Sequence, residues 1–172
     1  TSTTASPART QNNPADGKFD QSVIPSDLEL QVGRADFANL TTFTLTETQL
    51  LKNYLDKDHD YRKKVFTVVK RAVIDDNFGY FSGEAFAASG YKNAACMVPT
   101  SSITAADYFT SMTGNNYQWS YGCGGGTYTS ASGIGNTSNF STANLQGVFT
   151  MLFGSYFGDW DSQDNFLRAA LA

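Results

Sequence analysis

Cys123 has a side chain suited to nucleophilic chemistry. It sits between glycines in Tyr121-Gly122-Cys123-Gly124 and is followed by Gly125 and Gly126. A glycine-rich turn lets backbone amides point inward, which lowers a thiol pKa and cradles an oxyanion. The plainer reading is a tight turn in which the thiol fills space. Ser155 opens Ser155-Tyr156-Phe157-Gly158-Asp159-Trp160, and a serine hydroxyl attacks only beside a base that takes its proton. The single histidine, His59, lies within Asp58-His59-Asp60 and reads as a solvated helix residue. No Ser-His or Cys-His pair can therefore be assembled from another histidine. Asp75-Asp76 and the pair Asp159 and Asp161 are the remaining carboxylate groups of interest. Residues two apart share a face only in an extended segment, with Trp160 on the other side. The plainer role for Asp159 and Asp161 is to cap the final helix together with Ser162.

These residues fall at the ends of elements that the pattern predicts. Residues 1–27 carry Pro7, Pro14 and Pro25 among Ser, Thr, Asn and Asp, the signature of an extended polar arm. Leu28, Leu30 and Val32 alternate with polar residues as in a strand. Thr46 with Gln49 has the spacing of a capping box, Leu45 and Leu50 that of a hydrophobic staple, and the helix they open runs to about Lys64. The β-branched run from Phe66 to Ile74 predicts a buried strand ending at Asp75-Asp76-Asn77. Helices are expected over Gly83 to Cys96 and Ala105 to Met112, and a strand from Tyr117 to Tyr121. A Ser/Thr/Asn/Gly loop then covers Thr127 to Thr142. Leu145 to Phe153 reads as the most buried strand, and a last helix spans Asn165 to Leu171. Strands alternating with helices predict a largely parallel α/β sheet, whose ligands sit at the carboxyl ends of its strands. Asp75-Asp76, Cys123 and Ser155 all fall at such ends.

Bulk properties narrow the field. With 172 residues the chain is sized for one core-bearing domain. Charged residues are 16% and aromatic residues 14%, a profile that suits a neutral-surfaced extracellular protein. A net charge of −4 disfavours nucleic acid as a partner. No apolar run is long enough to span a membrane, and the amino-terminal residues lack the apolar stretch of a signal peptide. Gly122 to Gly126 lacks the Lys-Ser/Thr of a phosphate loop. Trp119, Tyr121, Tyr128, Tyr156 and Trp160 gather near the predicted strand ends, where aromatics form either a sugar- or peptide-binding platform or part of the core. The open sheet edge and the absence of a cap after the last helix predict an incomplete domain, or a partner chain that supplies neighbouring strands.

Taken in order, Gln31-Val32-Gly33-Arg34, Leu51-Lys52-Asn53-Tyr54, Asp75-Asp76, Tyr121-Gly122-Cys123-Gly124 and Ser155-Tyr156-Phe157-Gly158-Asp159-Trp160 resemble the gingipain-type cysteine peptidases. These are secreted bacterial enzymes of caspase-like fold. The resemblance covers residues 28–172 and implies a three-layer caspase-like domain with a mostly parallel sheet, the carboxyl-terminal part of a gingipain-type catalytic domain. It implies Cys123 at the family's histidine position and Ser155 at its nucleophile position, so the Cys-His dyad is missing. It also implies a fold that calcium stabilises. Asp16, Asp20 and Asp27 in the arm do not have the spacing of a helix-loop-helix calcium loop, and no cofactor is otherwise expected.

The expected function is therefore a non-catalytic secreted or cell-surface module that binds through Asp75, Asp76, Cys123, Ser155, Asp159 and Trp160 on the old active-site rim. One alternative is a hydrolase that uses Cys123 or Ser155 with a base from outside the chain. Another is a self-assembling extracellular protein joined through its arm or open sheet edge, as a homo-oligomer.

Overall fold

The structure, a computed structural model, describes residues 32–78 and 85–172. Two compact units divide the chain, residues 1–34 and 35–172, and the second carries every element below. The polar arm and residues 28–31 of the expected first strand lie outside the described residues, whereas Val32 is exposed and irregular.

Helix α1 (Glu47–Arg62) begins at the expected capping box: the Thr46 hydroxyl accepts from Gln49 N–H, and Gln49 Oε1 accepts from Thr46 N–H at 2.9 Å. Leu50 is buried with Phe37, Leu40 and Ala169. The helix stops at Lys63 and Lys64, the latter at φ 56°. The next strand starts later than its β-branched run suggests. Val69 N–H donates to Asn116 Oδ1 and Asn116 Nδ2 to the Thr67 carbonyl, so this stretch pairs with a loop side chain, and Val65 and Phe66 stay exposed. Strand β1 is Ala72–Asp76.

Then follow α2 (Ala85–Ala95), β2 (Ile103–Ala105), α3 (Tyr108–Gly114) and β3 (Tyr117–Cys123). The helix expected over Ala105 to Met112 is thus a short strand followed by a helix, divided at Asp107, whose side chain caps α3. The expected loop to Thr142 holds a two-stranded hairpin, β4 (Ser130–Ala131) with β5 (Gly135–Asn136), and α4 (Thr137–Thr142) with a capping box of its own at Asn136 and Asn139. Strand β6 (Gly147–Phe153) and α5 (Phe166–Ala169) complete the unit.

The four long-range strands form one parallel sheet in the order β2-β1-β3-β6, so the architecture is α/β. The chain moves outward from β1 to β2 and then crosses back to β3, which puts the topological switch point between β1 and β3. In-register neighbours share a face. One face carries Ala72, Ile74, Trp119, Tyr121 and Cys123 and is covered by α2, which comes so close that a Cβ at Gly90 would lie 2.6 Å from the Tyr121 ring. The other carries Val73 and Ser120 and packs on Tyr108 and Met112 of α3 and on Ile134.

Strand β6 is the element that departs most from its sequence reading. It is apolar, but among the described residues it is an edge strand, and Phe149, Met151 and Phe153 remain 38–45% exposed. They extend the α2 face beyond the helix, where Tyr61 meets Phe149 edge-on at 5.2 Å and Phe86 stacks on Phe153 at 4.7 Å.

Candidate functional site at the strand ends

β1 and β3 bring Asp76 and Cys123 into register at the switch point, and β6 ends beside them, with Cys123 opposite Phe153. The positions singled out in the sequence therefore converge on one end of the sheet, but they do not form one constellation. Asp75 and Asp76, being consecutive in a strand, face opposite ways. Asp76 Oδ1 accepts from the Cys123 thiol at 3.2 Å and from Phe78 N–H at 3.1 Å. Asp75 lies on the other face, where Oδ2 accepts from Tyr108 N–H at 2.8 Å and Oδ1 from Asn77 Nδ2 at 2.7 Å. Its carboxyl anchors the start of α3 next to the cap Asp107. Burial, and secondarily the charges of Asp107 and Asp76, raise its pKa above the ordinary carboxylate value despite these bonds.

Cys123 has no exposed surface. Burial first, then the carboxylate of Asp76, push its thiol up to about 12, against a smaller opposing effect of Tyr121. The glycine turn thus does the opposite of activating the thiol. One of the turn's amides is already committed, since Gly124 N–H donates to the Phe153 carbonyl at 3.2 Å. The glycines are there because backbone packs on backbone: a Cβ at Gly124 would fall 2.2 Å from the Ser132 carbonyl oxygen, and one at Gly126 would fall 2.2 Å from that of Ser155. Gly133, at φ 76°, leaves room for Asn77, and Asn77 N–H donates to the Cys123 carbonyl at 2.8 Å. Asn77 and the Ser132-Gly133 turn of the hairpin therefore fill the crevice where a ligand of such a sheet would sit.

Ser155 is exposed just past β6, and among the described residues no hydrogen bond reaches its hydroxyl. His59 lies nine residues after buried Leu50, and nine residues at about 100° each put it opposite the helix's buried face. It is exposed there. Asp159 and Asp161 are exposed on a turn instead of an extended segment, and they do not cap the last helix. That role falls to buried Asn165: Oδ1 accepts from Arg168 N–H, while Nδ2 donates to the carbonyls of Phe157 and Asp159 and to the Ser162 hydroxyl. Trp160 is half-buried beside this turn.

The five aromatics separate. Tyr121 is buried and Trp119 leans on Phe149 at 6.5 Å, whereas Tyr128 and Tyr156 form an exposed pair with ring centroids 5.2 Å apart. Sequence reasoning passed over Arg168, which is buried in α5 and binds Asp36 at 3.4 Å and the carbonyls of Ala38 and Ser162. Nothing in its apolar helical surroundings signals the partner. Among the described residues no group of three or more His, Cys, Asp or Glu side chains is placed to hold a metal, and no helix is long and apolar enough to cross a membrane. Asp16, Asp20 and Asp27 lie outside the described residues. The chain matches no protein-family model, no curated protein and no solved structure.

Proposed function

We propose that this chain is a non-catalytic binding module, secreted or at the cell surface, built on a scaffold similar to that of the gingipain-type peptidases. The observation that carries the reading is the state of Cys123: fully buried, bonded to Asp76 and held as a thiol far above neutral pH. A nucleophile needs a thiolate or an activated hydroxyl, and a base needs to accept a proton near neutrality. Cys123 offers neither, and among the described residues no base is hydrogen-bonded to the hydroxyl of exposed Ser155. The parallel sheet, in which β3 ends at Cys123 and the neighbouring β6 ends two residues before Ser155, supports the reading only in agreeing with the mostly parallel α/β sheet that the resemblance implies. Incubation with fluorescent casein under reducing conditions, with and without calcium, tests the reading. No cleavage is expected, and cleavage abolished by Cys123→Ala or Ser155→Ala would overturn it.

A second reading, self-association, rests on a separate observation. Phe149, Met151 and Phe153 line an open edge strand, with Phe66 and Val69 also exposed. Exposed edges of this kind invite pairing with another chain.

A further inference from the structure

We infer that the shallow depression formed by the β4–β5 hairpin and the turn before it, which carries Tyr128, is a binding site for a neutral saccharide, an inference that rests on the non-catalytic binding reading and gives it a ligand class. Gly125, Thr127, Ser130, Ser132 and Asn136 line the depression together with apolar and glycine neighbours, and no lining residue is charged. Uncharged hydroxyls and amides suit a ligand whose own polar groups are hydroxyls, and they offer a phosphate, a carboxylate or an ammonium group no opposite charge.

Two of the polar groups are held ready. Asn136 Oδ1 accepts from the Ser138 hydroxyl at 2.6 Å and from Asn139 N–H at 3.2 Å, which orients the side chain and leaves the two donors of Nδ2 uncommitted among the described residues. Thr127 and Ser130 share one hydrogen bond at 2.8 Å, and each hydroxyl keeps further capacity.

Tyr128 stands within the turn closed by Thr127 N–H on the Ser130 carbonyl, and both of those residues line the depression. Tyr156 packs against Tyr128, with the planes tilted by 59°. The two residues are 47% and 57% exposed, so about half of each stays open to solvent. Tyr156 also sits at φ 65°, a conformation that bulky residues rarely adopt and that glycine accepts freely. A tyrosine that is both strained and exposed serves something other than the stability of the fold. Exposed aromatic faces give the apolar side of a sugar ring a stacking surface, and Thr127 and Ser130 of the same turn supply hydroxyls.

Calorimetric titration with the β-1,4-glucose, β-1,3-glucose, β-1,4-mannose, β-1,4-xylose and β-1,4-N-acetylglucosamine hexasaccharides tests this. At least one is expected to bind the wild-type chain with Kd below about 1 mM. Tyr156→Gly is expected to weaken that binding at least tenfold without lowering Tm, and Tyr128→Ala to weaken it similarly. Failure of all five to bind at about 10 mM, or binding indifferent to both substitutions, overturns the proposal. So does tyrosine-dependent binding of an uncharged hexapeptide in their place. Cleavage of a bound hexasaccharide would leave the site standing and refute the non-catalytic reading instead.

Discussion

The Cys123 thiol donates a hydrogen bond to Oδ1 of Asp76 across 3.2 Å, joining the carboxyl ends of β3 and β1 at the switch point of the sheet. The bond ties the protonation of the sulfur to the fold. A thiolate there would face a carboxylate at a sulfur buried from solvent, so the neutral thiol is the form that the native structure holds.

Asp76→Asn removes the negative charge and keeps the shape. The Cys123 thiol pKa is expected to fall below about 12 and to stay above the ordinary thiol value, because burial is the larger cause. Thiolate absorbance near 240 nm, followed against pH, measures it. The same shift makes stability depend on alkaline pH. The folded pKa is raised, so the contribution of this group is complete below the unfolded value and declines as pH rises toward the folded one. Cys123→Ala is expected to flatten that decline in urea denaturation between about pH 9 and 11.

Two carboxyls give opposite acid responses. Asp75 has a raised pKa, so its contribution grows as pH falls from neutral through the raised value and is complete below the unfolded value of about 3.9. Burial works against the charge of Asp164, but bonds from Thr42 N–H, the Thr41 hydroxyl and Gln163 outweigh it and hold its pKa low. Its contribution is present above the unfolded value and is lost as pH falls through the folded one. Urea midpoints are expected to lose their acid-side gain in Asp75→Asn and their deepest acid loss in Asp164→Asn.

Gly124→Ala places a methyl group against the Ser132 carbonyl oxygen, a fixed backbone atom. The hairpin must move off the strand ends, at a cost of about 1–3 kcal/mol or more. Denaturation reads the loss, and the Cys123 thiol should become reactive in the same variant.

Arg168→Met removes the ion pair to Asp36, which keeps its bond from Ala38 N–H, and strands the carbonyls of Ala38 and Ser162, so a loss of about 3–5 kcal/mol is expected in chemical denaturation.

Self-association through β6 predicts that sedimentation velocity shows mass rising with concentration. Met151→Lys, which puts a charge at the centre of the exposed row, should hold the chain monomeric. A wild-type chain that stays monomeric at every concentration removes this second reading.

Much of the scaffold was legible because local signals and tertiary structure agree. The Thr46–Gln49 box starts α1, and the aromatic run from Tyr117 makes β3. The misses have physical causes. A three-residue strand such as β2 has no periodicity to read, and it forms only because Ala72, Val73 and Ile74 offer it a register. The apolarity of β6 predicts a strand but not whether anything covers it. The convergence of Asp76, Cys123 and Ser155 on one sheet end follows from element order. The filling of that end by Asn77 and Ser132-Gly133 does not, since it depends on a hairpin inside what reads as loop. The facing of Asp75 away from Asp76 was available from strand alternation alone.

The most direct test of the account is alkylation of the native chain with iodoacetamide at pH 7, read by mass spectrometry with exposed Cys96 as the internal control. Cys96 should be labelled while buried Cys123 stays unmodified until urea unfolds the chain. Labelling of native Cys123 faster than Cys96 at that pH would contradict the proposed non-catalytic reading and restore a reactive thiolate at the strand ends.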